Sequence, residues 1–197
     1  MRCQPGRSCS SWHSNWPPPR FRPRAAAASS HLAPSWAVGG AVPPQPQQQQ
    51  GVEYFAGAWT FTYTGRESPV TSGPRSGTVT FSRRGSSNVL EVRTEGQIEG
   101  GGAFRDTGTF EWNDADKQMT MTERLANGTE ITSVGNWSSP LTIRAESRPV
   151  QVGGQSVRLR RVYSIVSAQA FTVSEDISVD GGPFQRLGAG QFSKAVK

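Results

Sequence analysis

The sequence predicts an all-β fold: a single antiparallel, up-and-down β-barrel of about ten strands, preceded by a disordered N-terminal tail. Residues 51–197 contain short runs in which apolar and polar side chains alternate, separated by clusters of Gly, Asn, Asp and Pro. No amphipathic pattern of helical period extends over a convincing length. Closing such a meander into a barrel removes the exposed strand edges that promote aggregation. A two-sheet sandwich has the same periodicity and remains the alternative architecture.

The composition divides the chain at residue 50. Residues 1–50 hold nine of the fourteen prolines, five arginines and no acidic residue, whereas residues 51–197 hold sixteen basic and fifteen acidic residues. The net charge of +6 therefore comes mainly from the tail. Because the folded part has nearly balanced charge, the sequence predicts no nucleic-acid partner. A domain of about 145 residues can bury one core without disulfides or metals.

Cysteine and histidine occur only in the tail, as Cys3, Cys9, His13 and His31. Residues 51–197 therefore lack the side chains for structural zinc, a disulfide, a thiol nucleophile or a Ser-His-Asp triad. This absence predicts a domain that is not an enzyme and that carries no metal or cofactor.

Residues 1–50 have the proline, alanine and glutamine content of a linker or disordered segment. Three arginines within residues 20–24, followed by a weakly apolar stretch over residues 25–42, also match a secretory signal peptide. That interpretation predicts an extracytoplasmic location, periplasmic or secreted. His31 and Pro34 interrupt the apolar stretch, so a disordered cytoplasmic tail remains the alternative. No stretch reaches the roughly 18 apolar residues of a membrane span.

The predicted strands follow in order along the domain. The first alternates large aromatic residues with threonine, a pattern typical of a half-buried strand. A loop over residues 65–74 separates it from the second. The strands are predicted at residues 59–64, 78–82, 89–95, 104–112, 117–124, 129–137, 141–145, 157–165, 171–179 and 184–194.

Two turns carry predictions of register. Residues 113–116 form a four-residue loop that places Phe110 opposite Met119. Asn127-Gly128 is typical of a type I′ turn, in which both central residues have positive φ.

The hairpin over residues 156–180 has the best-specified register. Pairing Ile165 with Phe171 sets apolar side chains opposite each other along the whole ladder and leaves residues 167–169 as a three-residue loop. A shift of one residue would set apolar against polar positions throughout.

This register places Arg161 opposite Glu175, each inside an otherwise apolar run. Both side chains should point into the barrel, where a lone ion costs several kcal/mol to desolvate. The sequence therefore predicts a buried cross-strand ion pair, with Tyr163 as a hydrogen-bond partner. The pair either is structural or orients the polar group of a ligand. An enzyme that transfers protons through these three residues is the less favoured alternative.

The segment Gly57-Ala58-Trp59 is similar to the Gly-x-Trp opening of the lipocalin-like (calycin) barrels. In those folds a basic side chain near the end of the last strand covers the tryptophan. Lys194, or less favourably Arg186, matches that role in this sequence.

Three further segments resemble the bacterial lipocalin-like domain-of-unknown-function family one-five-seven-nine: residues 108–117, 162–175 and 178–184. The resemblance extends over residues 53–197. It implies a lipocalin-like barrel and no established reaction. Related small barrels that carry haem use a histidine ligand, which this domain lacks, so haem is not expected.

The leading functional hypothesis is non-enzymatic binding of a small apolar or amphipathic molecule inside the barrel. The alternative is a filled barrel that acts as a structural or protein-interaction domain, and cavity size distinguishes the two. The ligand-binding candidates are the inward aromatic, thioether and charged side chains of Phe61, Tyr63, Phe110, Met119, Met121, Arg161, Tyr163, Phe171 and Glu175.

The remaining charged residues are not assigned to a functional site. Asp106, Glu111, Asp114 and Asp116 are read as solvated turn residues, because the last two lack the ligand count of a calcium loop. Arg158 and Arg160 are expected to alternate outward from the barrel, on the face opposite to Arg161.

Overall fold

The structure, a computed structural model, describes residues 50–85 and 87–195. The expectations for the tail, including the signal peptide, lie outside these residues. The described part contains one 3-10 helix, Val52–Phe55, and thirteen strands. The strands are β1 (Gly57–Gly65), β2 (Glu67–Ser68), β3 (Thr71–Ser72), β4 (Arg75–Arg83), β5 (Val89–Ile98), β6 (Ala103–Asn113), β7 (Gln118–Arg124), β8 (Glu130–Ser139), β9 (Thr142–Ser147), β10 (Val150–Val152), β11 (Gln155–Ser167), β12 (Ala170–Val179) and β13 (Gln185–Lys194).

Ten of these strands form a closed antiparallel barrel, which confirms the predicted fold and rules out the sandwich. The order around the barrel is β1, β4, β5, β6, β7, β8, β9, β11, β12 and β13, and β13 pairs again with β1. The short strand β10 adds to the edge of β11, and β2 with β3 forms a separate hairpin after β1. Every residue pairing in the barrel is antiparallel.

The backbones of the paired strands β4 and β5 approach each other closely where Gly77 pairs with Gly96. A Cβ atom added at Gly77 would lie 2.0 Å from the carbonyl oxygen of Glu95. Only glycine permits this approach, which lets the two strands bend as the barrel curves.

The hairpin β11–β12 has the predicted register, with Ile165 opposite Phe171. Its loop is shorter than predicted, because Ser167 pairs with Ala170 and the register shifts between Ile165 and Ser167. Val166 lies at that bulge with 66% of its surface exposed. Because Val166 is left unpaired, Ser167, which the prediction had assigned to the loop, joins the ladder.

The prediction for the β6–β7 turn was wrong by two residues. Phe110 pairs with Met121, and Trp112 pairs with Met119. The loop therefore covers residues 114–117, with Lys117 at a φ of 52°. Asp114 fixes this turn by accepting a hydrogen bond from Trp112 Nε1 at 2.9 Å. A shift of two residues leaves each side chain on its predicted face, so the interior is unchanged.

The prediction of a type I′ turn at Asn127-Gly128 was also wrong. Of the two residues only Gly128 has a positive φ, at 86°. The N–H of Gly128 donates to the carbonyl of Leu125 at 2.8 Å, and the N–H of Leu125 donates to the carbonyl of Thr129 at 2.9 Å. This is a three-residue loop with glycine at the left-handed position.

One end of the barrel, here called the closed end, is filled by aromatic side chains. Phe55 of the 3-10 helix enters it, and Trp59 Nε1 donates to the carbonyl of Phe55 at 2.7 Å. The ammonium of Lys194 lies 5.1 Å from the centre of the Trp59 ring, as predicted. Arg186 instead pairs with Asp176 at 3.8 Å. The buried side chains that complete this cluster include Phe110, Met119 and Phe171.

Candidate functional site

A cavity of about 90 Å³ lies inside the barrel, next to the closed end. One side is apolar and the other carries charged and hydroxyl groups. The apolar wall includes Phe61, Val79, Val92, Met121, Phe171 and Phe192. The polar layer, a name used below for this set, consists of Tyr63, Arg75, Asp106, Glu123, Arg161 and Glu175.

Each residue of the polar layer comes from a different strand, namely β1, β4, β6, β7, β11 and β12. Each occupies an inward position of its strand, because side chains alternate between the two faces of a sheet. The layer is therefore built by barrel closure and not by any single hairpin.

Seven of the nine predicted ligand-binding residues line this cavity: Phe61, Tyr63, Met121, Arg161, Tyr163, Phe171 and Glu175. The other two, Phe110 and Met119, do not. They are 2% and 0% exposed in the closed end, where Phe110 packs against Phe55 at a ring distance of 5.0 Å. The 3-10 helix occupies the space that they were expected to line.

The predicted ion pair between Arg161 and Glu175 is confirmed. Arg161 Nε donates to Glu175 Oε1 at 2.6 Å, and the two side chains are 7% and 9% exposed. A second carboxylate, that of Glu123, also accepts from Arg161, through Nη1. Charge-assisted hydrogen bonds of this kind are stronger than neutral ones.

Two opposing effects set the pKa values in this cluster: burial disfavours the charged forms, and the oppositely charged neighbours favour them. Burial disfavours the charge on Arg161, but Glu123 and Glu175 beside it raise the pKa of its guanidinium above the ordinary range. Burial also acts to raise the pKa of Glu175, but the neighbouring Arg161 and Arg75 hold that pKa below its ordinary value. Arg161 and Glu175 are therefore both charged at neutral pH.

Two sequence expectations around this cluster were incomplete. The hydroxyl of Tyr163 donates to Met121 Sδ at 2.9 Å, and no hydrogen bond of normal geometry joins it to the ion pair, although Arg161 lies close enough to oppose the rise in its pKa that burial causes. Glu123 was missed, although it lies two residues after Met121 and so shares its inward face. The alternation Met119, Met121, Glu123 was the signal that could have identified it.

Arg75 lies at the other side of the polar layer. Its guanidinium carbon is 5.2 Å from the centre of the Tyr63 ring and 5.3 Å from that of Phe104, both within cation–π range. Its Nη1 is 3.9 Å from Asp106 Oδ2, which is a long contact for an ion pair.

Asp106 is not the solvated turn residue that the sequence suggested. It lies on β6 with its side chain 14% exposed, and its Oδ1 accepts the backbone N–H of Ala126 at 2.8 Å. Burial raises the pKa of Asp106, opposed by the Ala126 bond and by Arg75. By contrast, Glu111, Asp114 and Asp116 are exposed.

The hydroxyl of Tyr63 is buried and makes no hydrogen bond of normal geometry among the described residues. The ring lies against glycine, since a Cβ atom added at Gly188 would lie 2.4 Å from this hydroxyl. Burial first, and then the charge of Glu175 and its hydrogen-bonding interaction with the hydroxyl, raise the pKa of Tyr63 above its ordinary value. A buried hydroxyl without a well-formed hydrogen bond is costly, so this group is a candidate to contact a ligand.

A second cleft of about 200 Å³ lies beside the β2–β3 hairpin. Arg75 and Asp106 line both this outer cleft and the inner cavity. These two side chains therefore form the boundary between the two spaces.

The exposed arginines of β11 behave as predicted. Arg158 and Arg160 both pair with Glu146 on the outside of the barrel. Among the residues that the structure describes, no group of three His, Cys, Asp or Glu side chains is placed to hold a metal ion. No helix in residues 50–85 and 87–195 is long and apolar enough to cross a membrane.

No protein-family model matches the chain, and no curated protein matches it. Among solved structures, the chain is similar to Rv2717c from M. tuberculosis, with a TM-score of 0.58 and 16% identity over 76% of this chain and 100% of that one. It is also similar to the redesigned β-barrel mFAP1 bound to DFHBI, with a TM-score of 0.41 and 14% identity over 74% of this chain and 100% of that one. A fluorescence-activating β-barrel designed de novo gives a TM-score of 0.42 and 19% identity over 73% of this chain and 96% of that one. The similarity to Rv2717c shows a shared barrel fold.

Proposed function

We propose that the barrel binds a small apolar or amphipathic molecule in its inner cavity and catalyses no reaction on it. The observation that supports this is that an aromatic wall and a layer of buried charges line the same cavity. Burying ions costs desolvation, and replacing buried ion pairs by apolar side chains is often neutral or stabilising. A barrel selected only for a stable packed core would have little use for this layer.

The size of the cavity limits the ligand. At about 90 Å³ it is well below the roughly 300–1,000 Å³ of pockets that hold drug-sized molecules. The occupant is therefore small, or part of it extends past Arg75 into the outer cleft.

The protonation of Tyr63, Tyr163 and Glu175 supports binding over catalysis. A general acid or base works best with a pKa near the operating pH. Burial instead raises the pKa values of Tyr63 and Tyr163 above an already high ordinary value. The pKa of Glu175 is held low, mainly by Arg161 against the effect of burial. These shifts move the three groups away from neutrality.

A filled barrel that serves as a structural or protein-interaction domain is the second candidate, and the small cavity favours it. Native mass spectrometry of the full chain, purified without detergent, distinguishes the two. The binding proposal predicts a discrete extra mass that is released on collisional activation.

A direct binding measurement complements the mass. Methionine methyl groups labelled with ¹³C provide two internal reporters, because Met121 lines the cavity and Met119 is buried in the closed end. Addition of 1-butanol should shift the Met121 methyl resonance and leave that of Met119 in place. A bare chain mass together with an unresponsive Met121 would favour the filled barrel.

The family resemblance and the cellular location are part of the same proposal. The contact of Lys194 with Trp59 supports membership of the lipocalin-like family. An extracytoplasmic carrier would be exported by the segment over residues 1–50, and fractionation of expressing cells tests this location.

A further inference from the structure

We infer that the ligand of the inner cavity is a small organic cation, an alkylammonium, and that Arg75 occupies part of its place when the site is empty. This inference rests on the proposed function and specifies the class of its ligand. It is carried by the charge of the polar layer, by the way in which Arg75 is held, and by the position of Arg75 between the cavity and the outer cleft.

The charges that line the cavity are not balanced. Three carboxylates, those of Asp106, Glu123 and Glu175, face two guanidinium groups, those of Arg75 and Arg161. Arg161 is already paired with two of the carboxylates. A cation entering this space would compensate the remaining negative charge, whereas an anion would add to it.

Arg75 shows that the site accepts an organic cation. Its guanidinium lies near the ring centres of Tyr63 and Phe104, at 5.2 and 5.3 Å, with one carboxylate beside it. Aromatic rings are a recurring means by which proteins hold alkylated ammonium groups, and a carboxylate nearby adds an opposite charge.

The contacts of Arg75 are also weaker than those of Arg161. Its ion pair with Asp106 spans 3.9 Å, against 2.6 Å for Arg161 with Glu175. Its side chain is 21% exposed, against 7% for Arg161. Arg75 can therefore swing towards the outer cleft at lower cost than any movement of Arg161 would require.

The hydroxyl of Tyr63 offers an acceptor to the cavity. Tyr63 lines the cavity at 6% exposure, and its hydroxyl makes no hydrogen bond of normal geometry among the described residues, although Glu175 lies beside it. The oxygen is an available acceptor for an ammonium N–H once Arg75 moves. The other carboxylate oxygen of Glu175, Oε2, is a further acceptor, because Arg161 Nε donates only to Oε1.

Three probes of matched chain length test the inference: n-butylammonium, 1-butanol and butyrate. Each is titrated into the full chain at neutral pH, with the Met121 methyl resonance as reporter and Met119 as internal control. The expected order of affinity is butylammonium first, by about tenfold over 1-butanol, and butyrate last. Binding of butyrate tighter than butylammonium would overturn the inference.

Two variants change the charge in opposite directions. Asp106→Asn keeps an acceptor for the Ala126 N–H but removes a negative charge, so butylammonium should bind about tenfold more weakly and should lose more affinity than 1-butanol does. Arg75→Gln removes the competing cation, so butylammonium should bind about tenfold more tightly. The matched control is Glu111→Gln, on the exposed face of the same strand as Asp106, which should change nothing.

The outcomes separate this inference from the proposed function. If 1-butanol and butylammonium bind equally well and Arg75→Gln changes neither, the cavity binds small molecules but the cation preference is wrong. If Met121 responds to no probe in the wild type or in Arg75→Gln, both the binding function and the cation inference fail. Thermal melting of each variant confirms that it is folded during the titration.

Discussion

Two regions of the barrel interior use the same alternating strands for opposite purposes. In the closed end, Trp59 is 0% exposed, its indole N–H is bonded and aromatic rings fill the space. In the polar layer, Arg161 is almost as buried but is held by two carboxylates beside an open cavity. The difference shows that one strand pattern can build a dense core and a charged site within a single barrel.

Aromatic rings connect these two regions. Phe171 packs on Trp59 at 4.9 Å in the closed end and stacks on Phe192 at 4.4 Å, and Phe192 lines the cavity. Phe61 continues the stack at 5.5 Å from Phe192. The apolar wall of the cavity is therefore continuous with the packed core of the closed end.

The largest effect should come from the closed end. Replacing Trp59 by alanine removes a fully buried ring and its bond to Phe55, so we expect a loss near the upper end of about 3–5 kcal/mol in the free energy of unfolding. Urea denaturation measures it. Val166→Ala, at an exposed bulge, is the control and should stay within about 0.5 kcal/mol. A loss below about 1 kcal/mol for Trp59→Ala would show that the closed end is not a dense core.

The polar layer should respond asymmetrically to loss of its charges. Arg161→Met leaves both Glu123 and Glu175 unpaired and should cost about 3–5 kcal/mol. Glu175→Gln leaves Arg161 bonded to Glu123, so its cost should be lower, about 1–3 kcal/mol. The same urea measurement compares them. Equal costs for the two variants would mean that Glu123 does not contribute to the cluster.

A pH series distinguishes the carboxylates of the polar layer. The folded pKa of Glu175 lies below its ordinary value of 4.5, mainly because Arg161 outweighs burial, so its contribution to stability is present above that pH. This contribution is lost as the pH falls through the lower folded pKa. Burial raises the folded pKa of Asp106 above 3.8, so its ionisation reduces stability as the pH rises through that folded pKa.

The measurement is the stability of wild type relative to each amide variant across this range. The advantage of wild type over Glu175→Gln should shrink on acidification. The stability of wild type relative to Asp106→Asn should rise on acidification, because Asp106 is then protonated and neutral. Parallel curves for the two variants would contradict the assigned shifts.

The smallest effect concerns two tyrosine hydroxyls. Tyr163→Phe removes the bond to Met121 Sδ and should cost about 0.5–1 kcal/mol. Tyr63→Phe removes a hydroxyl that makes no hydrogen bond of normal geometry among the described residues, so stability should be unchanged or slightly increased. Each substitution keeps the ring, so thermal melting of the pair isolates the hydroxyl. A larger cost at Tyr63 than at Tyr163 would reveal a bond to Tyr63 in solution.

The sequence by itself determined the features that depend on neighbouring strands. Alternation within each run specified the barrel strands, and the apolar match along β11 and β12 specified their register and the pair of Arg161 with Glu175. The contact of Lys194 with Trp59 was expected from the Gly-x-Trp motif of the first strand together with a basic residue near the end of the last strand. Alternation also placed Met121 and Tyr63 inside, because a two-residue period does not depend on the partner strand.

Only the tertiary structure decided which inward residues meet across the barrel. Arg75, Asp106 and Glu123 come from strands that do not neighbour β11 or β12, and the stagger of the closed barrel brings them to one level. The 3-10 helix, which carries no strand periodicity, fills the closed end and removes Phe110 and Met119 from the cavity. Short-range alternation sets the direction of each side chain, whereas its distance from side chains on remote strands is set by closure of the whole sheet.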